Sequence, residues 1–249
     1  MALILTVTNQ KGGVGKSLVA VQLARALAAS GKRVLAIDND PQGNLSENCL
    51  PGGEEITAHV LDIYREKTPA PQPVAPRLDL IGSDILLAPV ADQDFEVIFK
   101  LKEGLENYRD SYDYIIVDSV PSFGHLHIAA LACPDFRLIP AKPSRHAFSG
   151  LADQLTSVGK AQKRLNPKLK VLGIILNLID TKNVVLERNF EERLRQDYGD
   201  MVFKATLHKR ISYEEATTLG QYIGEYDKKT SKEEFEAFFK EFKKRIKEA

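Results

Sequence analysis

The sequence predicts a doubly wound α/β fold, a mainly parallel sheet with helices on both faces. Three observations carry that expectation. Short apolar runs alternate with amphipathic segments through most of the chain. A glycine-rich turn joins the first apolar run to the first helical segment, as in a strand–loop–helix unit. No internal repeat and no low-complexity tract interrupts the pattern.

Taken in order, residues 3–8 read as the first buried strand, residues 9–16 as the glycine-rich turn and residues 17–30 as a helix rich in Ala and Leu. Gly31 is placed to close that helix as a left-handed cap. Residues 34–38 form the next strand, and the polar stretch 39–53, with three glycines and two prolines, reads as a long loop at its carboxyl end. Four prolines in residues 68–76 mark a surface connection, and residues 78–81 resume strand character. Phe95, Ile98, Leu101, Leu105 and Tyr108 recur at helical spacing, which predicts one face packed on the sheet. Residues 114–117 make a strand ending in Asp118, and 136–140 and 171–176 are further strands. The helix between those two carries Phe148, Leu151, Leu155 and Val158 on its inward face, and helices also fit 184–198 and 231–248.

At 249 residues and 43% hydrophobic the chain can bury one substantial core, and residues 1–249 are read as a single domain. Its 34 basic and 34 acidic residues cancel, so contact with a nucleic acid requires a local basic patch. Cys49 and Cys133 fit neither a zinc spacing nor a disulfide framework, as expected of a reducing compartment. Residues 1–8 lack a signal-peptide pattern and no apolar run approaches the roughly 20 residues of a spanning helix, so the protein is expected to be soluble and cytoplasmic.

The stretch Gln10-Lys11-Gly12-Gly13-Val14-Gly15-Lys16-Ser17 carries the most specific chemistry. Its glycines let backbone N–H groups turn toward an anion, and the helix that follows adds its positive end. Lys16 is placed to reach the β and γ phosphates of a nucleotide, and Ser17 to ligate Mg²⁺. Gln10 occupies the place of the first glycine in the standard G-x-x-x-x-G-K-[ST] pattern, which is therefore not met.

In this respect the stretch resembles the deviant, two-lysine phosphate loop K-G-G-x-G-K-[ST] of the ParA and MinD family of ATPases. Asp38-Asn39-Asp40-Pro41-Gln42-Gly43-Asn44 resembles the family's D-x-D-P-Q-G-N segment, and residues 113–118 its Walker B strand. Residues 207–216, ending Glu214-Glu215-Ala216, resemble the ParA segment that closes over the nucleotide base. The resemblance implies ATP and Mg²⁺ as cofactors, with phosphate-loop contacts from Lys11, Gly12, Gly13, Val14, Gly15, Lys16, Ser17 and Leu18. It implies that Lys11 crosses a homodimer interface to the other subunit's ATP. Asp40 is expected to be the catalytic carboxylate that orients the attacking water, assisted by Lys11 and Lys16. Ser17, Asp38 and Asp118 are assigned to the metal, Asp38 through water or by placing the adjacent loop. Asn177, Leu207, His208 and Lys209 are assigned to the base, which the resemblance, together with the lack of an N-K-x-D motif, implies is adenine. Two departures stand out: Val120 replaces a proline of the family's D-x-P-P-S segment, and His208 another proline.

The branch of the family is read from other residues. A ParA-type partition ATPase implies ATP-bound dimers on nonspecific double-stranded DNA, with hydrolysis stimulated by a ParB-like partner and a nucleoid-associated location. Lys163, Arg164, Lys168, Lys170, Lys204, Lys209 and Arg210 are the candidate phosphate contacts. A MinD-like membrane role would use the stripe Phe235, Phe238, Phe239, Phe242 and Ile246, but glutamates dilute its basic face and such stripes are more often core. A positioner of non-DNA cargo is the other alternative.

Overall fold

Residues 1–249 are described by a computed structural model, apart from 122–123, 144–150, 153–154, 157–158, 161–162, 181–183 and 228, and the side chains of 184–187. Eight strands form one sheet: β1 (Leu3–Val7), β2 (Val34–Asn39), β3 (Gln72–Ala75), β4 (Leu78–Ile81), β5 (Tyr114–Ser119), β6 (Phe136–Ala141), β7 (Lys170–Ile179) and β8 (Val202–His208). Their order is β3-β4-β2-β5-β1-β6-β7-β8. All neighbours pair in parallel except β3 and β4. This is the predicted doubly wound, mainly parallel sheet, and such sheets need both faces covered.

The helices are α1 (Lys16–Ala29), α2 (Asn44–Cys49), α3 (Val60–Tyr64), α4 (Val97–Glu106), α5 (His125–Ala132), α6 (Val184–Tyr198), α7 (Ile211–Thr218), α8 (Ile223–Tyr226) and α9 (Thr230–Glu248), with further helical residues between 151 and 164. On one face α1 and α9 pack over Leu5, Val7, Ala36, Ile116 and Leu138. On the other, α3, α4 and α5 cover Ile4, Leu35, Ile37, Ile115 and Val117. The strand residues alternate between these two cores, as a period of two requires. Gly31 ends α1 in the left-handed region at φ 88°, and the Lys32 N–H donates to Leu27 O at 3.1 Å, as the sequence predicts.

The structure differs from the sequence reading at several points. The polar stretch 39–53 contains α2, buried through Leu45, Ser46 and Cys49. The proline-rich connection contains β3, an antiparallel edge strand in which Pro73 is tolerated because an edge needs no N–H from it. Phe95 precedes α4 and is 54% exposed, its ring edge-on to Phe99 and His125, while Ile98, Leu101, Leu105 and Tyr108 are buried as predicted. Leu151 and Leu155 pack on β7 as predicted, whereas Phe148 and Val158 lie outside the described residues. Strand β8 and helices α5, α7 and α8 escape the periodicity reading.

The aromatic stripe of α9 is core. Phe235, Phe238 and Phe242 are at most 1% exposed, and Phe238 meets the rings of Phe203 on β8 and Phe235 at 5.3 and 5.5 Å. No helix among the described residues is long and apolar enough to cross a membrane. Truncating Phe238 to Ala should therefore cost about 3–5 kcal/mol of stability in urea denaturation, the range for a large buried aromatic. Were the stripe a membrane face, the same change would leave stability nearly unaltered.

Candidate functional site

Strand β1 sits between β5 and β6, with Val7 in register with both Asp118 and Leu138. The chain leaves this central strand at the carboxyl edge of the sheet, where ligands of open α/β sheets bind. Thr8 N–H continues the ladder to Leu138 O at 3.0 Å. Asn9 then anchors the turn, its amide donating to Pro140 O at 2.7 Å and its side-chain oxygen accepting the Lys11 N–H at 2.8 Å.

Gly13 and Gly15 adopt left-handed φ values of 69° and 78° that side chains disfavour. Among the described residues, nothing lies within 4 Å of a Cβ placed on Gly12 or Gly13. A Cβ on Gly15 would collide with the side-chain amide of Asn177. Gly15 precedes the first turn of α1, which holds no acidic residue and no side-chain cap, leaving its N–H groups available to an anion.

Lys16 is only 7% exposed. Burial lowers its pKa, and the carboxylates of Asp118 and Asp40 raise it back. Asp38 and Asp118 are both fully buried and are register partners across β2 and β5. Desolvation raises both pKa values; the neighbouring Asp118 adds to the rise at Asp38, while Ser17 and Lys16 hold Asp118 down. The two carboxylates are used differently. Asp38 Oδ2 accepts the Ser46 N–H at 2.8 Å and hydroxyl at 2.7 Å, and Oδ1 accepts the Asp40 N–H at 3.1 Å. The Ser46 hydroxyl in turn accepts the Ser83 N–H at 2.9 Å. Asp38 thus holds the segment from Asp40 to α2, one of the two roles expected of it. Asp118 Oδ1 accepts the Ser119 N–H at 3.0 Å, whereas Oδ2 is buried without a hydrogen-bond partner among the described residues, and the Ser17 hydroxyl lies close to the carboxylate.

Asp40 is 4% exposed and near Lys16, and its Oδ1 accepts the Gln42 N–H at 3.0 Å. It therefore forms an Asx turn as well as facing the phosphate-loop lysine. Asn39, Asn9 and Ser46 were not singled out from sequence. Asn39 ties α5 to α3, its amide donating to Leu126 O and its oxygen accepting the Tyr64 hydroxyl. The sequence signal of Asn9 and Asn39 is a short polar residue at or just beyond a strand end, whereas Ser46 lies inside α2 and carries none.

On the expected base side, Asn177 lies inside β7, not at its end, and its amide donates to Val14 O at 2.8 Å. In this conformation it braces the phosphate loop. Leu207 is 2% exposed and its side chain belongs to the core. The backbone N–H and ring of His208, and the Arg210 guanidinium, all engage Glu234 of α9. Lys209 is exposed, its N–H on Ile179 O. Helix α1 carries Gln22, which bonds Thr217, Gln221 O and the Ile223 N–H, and so holds α7 and α8 beside the loop.

The seven basic residues expected to contact DNA do not form one patch. Lys163, Arg164, Lys168 and Lys170 lie at or before the start of β7, whereas Lys209 and Arg210 follow the end of β8. Ten residues of parallel strand separate the two ends by about 30 Å. Arg210 is also paired with Glu234. Lys204 lies on edge strand β8, lining an open groove with Lys240, Lys244 and Arg245 of α9 and with Asp200, Glu241 and Glu248.

A family profile described as an AAA domain matches residues 2–171. The sporulation initiation inhibitor protein Soj of Bacillus subtilis is 35% identical over 238 residues, covering 91% of this chain and 92% of Soj. The chain belongs to the ParA/Soj family of P-loop proteins. The chromosome partitioning protein ParA of Caulobacter vibrioides is 32% identical, covering 91% of this chain and 88% of that protein. Among solved structures, a plasmid partition protein of Borrelia burgdorferi superposes with a TM-score of 0.77 at 27% identity, covering 98% of this chain and 99% of that one. For this ParA/Soj chain, the family membership and the observed sheet agree with the resemblance read from residues 10–17, 38–44 and 113–118.

Replacing Gly15 by Ala should displace Asn177 and strain the loop, lowering nucleotide affinity at least tenfold by calorimetry while the far-ultraviolet spectrum stays unchanged. Equal affinity for the two proteins would show that the Gly15–Asn177 approach does not shape the site.

Proposed function

We propose that the chain, acting over residues 1–249 as one unit, is an Mg²⁺-dependent ATPase of the partition type whose ATP-bound dimer binds nonspecific DNA. The observation that carries the reading is the convergence of Lys16, Asp40 and Asp118 at the mouth of the phosphate loop, with one buried Asp118 oxygen left unpartnered among the described residues. The Borrelia burgdorferi B31 relative with TM-score 0.81, solved with AMPPNP, supports ATP as the ligand. Backbone N–H groups of residues 12–17 hold the phosphates, with Leu18 supporting the first turn, and Lys16 lies against the γ-phosphate.

Ser17 and Asp118 fit a hard divalent cation, the hydroxyl and the unpartnered carboxylate oxygen being donors of the right kind. Among the described residues no three-member His, Cys, Asp or Glu cluster forms a protein-only cage, as suits a metal shared with phosphates and water. When bound, Mg²⁺ neutralises charge on the phosphate oxygens. Asp38 acts at one remove by fixing the Asp40 segment through Ser46. Asp40 orients the attacking water, and the Asx turn to Gln42 holds its carboxyl in place. Lys11 reaches the partner subunit's nucleotide and makes dimerisation depend on ATP. The backbone of residues 207–209 and the Asn177 region border adenine.

For DNA, the reading is supported by a basic strip. The Lys170 ammonium contacts the Ala249 carbonyl at the end of α9, the helix whose Lys240 and Lys244 line one groove with Lys204. Lys163 and Arg164 extend it, and Lys209 and Arg210 stand apart at the nucleotide edge. Release by a ParB-like partner and a location on the nucleoid in the cytoplasm complete the proposal, in keeping with a relative named as a chromosome partitioning protein.

Asp40→Ala should abolish steady-state ATP hydrolysis while retaining ATP binding; turnover within twofold of wild type would remove Asp40 from the mechanism. Lys11→Ala should stay monomeric with ATP in sedimentation, and full dimerisation would separate that lysine from the interface. In shift assays, DNA should be retarded with ATP but not with ADP, and Lys240→Glu with Lys244→Glu should lower the salt slope by about 2, near one unit per lost phosphate contact. Liposome sedimentation without any DNA shift would overturn the partition reading.

A further inference from the structure

Four side chains play no part in the chemistry above and share one property: each is buried and its side-chain polar atoms lack hydrogen-bond partners among the described residues. Arg137, the second residue of β6, is 0% exposed, and among the described residues Nε, Nη1 and Nη2 meet no acceptor. Thr6 and Thr8 are 0% exposed and His127 is 2%, and neither hydroxyl nor either ring nitrogen makes a hydrogen bond. The Thr6 hydroxyl lies against the Cys133 thiol, and the His127 ring faces the Val120 carbonyl, without closing one.

The topology brings the four together. Thr6 is the register partner of Arg137 across β1 and β6. Thr8 follows two residues on and so shares its face. Helix α5 covers that face and carries His127, whose pKa is pushed down to about 4 by burial first and then by the Arg137 guanidinium. Burial is the one influence acting on Arg137, since no carboxylate among the described residues faces it.

The set holds an excess of donors and a net positive charge. A guanidinium has five N–H donors and no acceptor, each hydroxyl offers a proton beside its lone pairs, and a neutral imidazole offers one N–H and one acceptor nitrogen. A buried, unpaired charge is costly, and buried polar groups are otherwise satisfied by protein, water or an ion. A water molecule would accept from two of these donors and leave the charge uncompensated. An anion meets both demands through charge-assisted hydrogen bonds.

We propose that Arg137, Thr6, Thr8 and His127 form a buried site for a small inorganic anion, with phosphate as the oxyanion of matching donors. The site lies under the first residue of the phosphate loop, where Thr8 precedes Asn9, and beside Val120, which follows β5. An anion there ties β1, β6 and α5 together and stiffens the base on which residues 9–17 rest. The site itself does not require the ATPase reading. Phosphate from solvent and phosphate released beside Lys16 share the same chemistry.

The test uses the full chain saturated with Mg-ADP, so that the phosphate loop is filled, and follows the thermal midpoint against inorganic phosphate and against chloride at equal ionic strength. Wild type should be stabilised saturably by phosphate. Arg137→Met should lose that response while binding ADP as before, and Thr6→Val should weaken phosphate about tenfold, the scale of one hydrogen bond to a charged group. An equal, Arg137-dependent response to chloride supports the site and names a halide as its occupant. No saturable response in wild type, or an unchanged one in Arg137→Met, overturns the proposal. Should Arg137→Met fail to fold, an unchanged response in Thr6→Val does so. If the chain binds no ADP, the ATPase reading fails, and nucleotide-free Lys16→Ala protein then tests the anion site alone. In a single turnover with ATP, phosphate release that lags hydrolysis in wild type but not in Thr6→Val identifies the released product as the source, and release without a lag identifies solvent anion.

Discussion

Two fully buried carboxylates, Asp38 and Asp118, stand side by side across β2 and β5, opposite a nearly buried Lys16. Like charges so placed repel, and burial removes the water that would screen them. Much of the surrounding structure is arranged around that cost. Asp38 is satisfied by the Ser46 and Asp40 backbone and the Ser46 hydroxyl, while Asp118 keeps one oxygen open toward Ser17. The arrangement has its lowest cost with positive charge at the open oxygen, which is why a phosphate loop and a divalent cation belong at this edge.

Helix α1 links that chemistry to the rest of the chain. Its first turn carries Lys16 and Ser17, and its middle carries Gln22 and Arg25, which bond the segments around α7 and α8. Burial on nearly all sides makes α1 a rigid connector between the phosphate side and the segment expected to border the base. Glu234 of α9 adds a second tie through His208 and Arg210. A proline at position 208 would have no N–H for Glu234, so the departure from the family pattern has a structural counterpart here.

Helix α9 shows why an amphipathic pattern needs a partner before it can be interpreted. Its phenylalanines have the spacing of a membrane face and of a core face alike. Only the presence of β8, with Phe203 set against Phe238, decides for the core. Because that helix packs over the β8 edge, it also places Lys240 and Lys244 beside Lys204, an association that distance along the chain conceals.

The sequence by itself determined the sheet class, the phosphate loop, and Asp38, Asp40 and Asp118 as its acidic companions, because those features are local. Left-handed glycines, a strand before and a helix after, and carboxylates at strand ends are all written within a few neighbouring residues. The tertiary structure decided what depends on strand order. It placed Asn177 against Val14, buried Leu207, split the basic residues between opposite edges of β7 and β8, and set Arg137 beside Thr6 and His127. None of these is legible in one dimension. Parallel pairing joins residues more than a hundred positions apart, and the pleat alone settles which of them share a face.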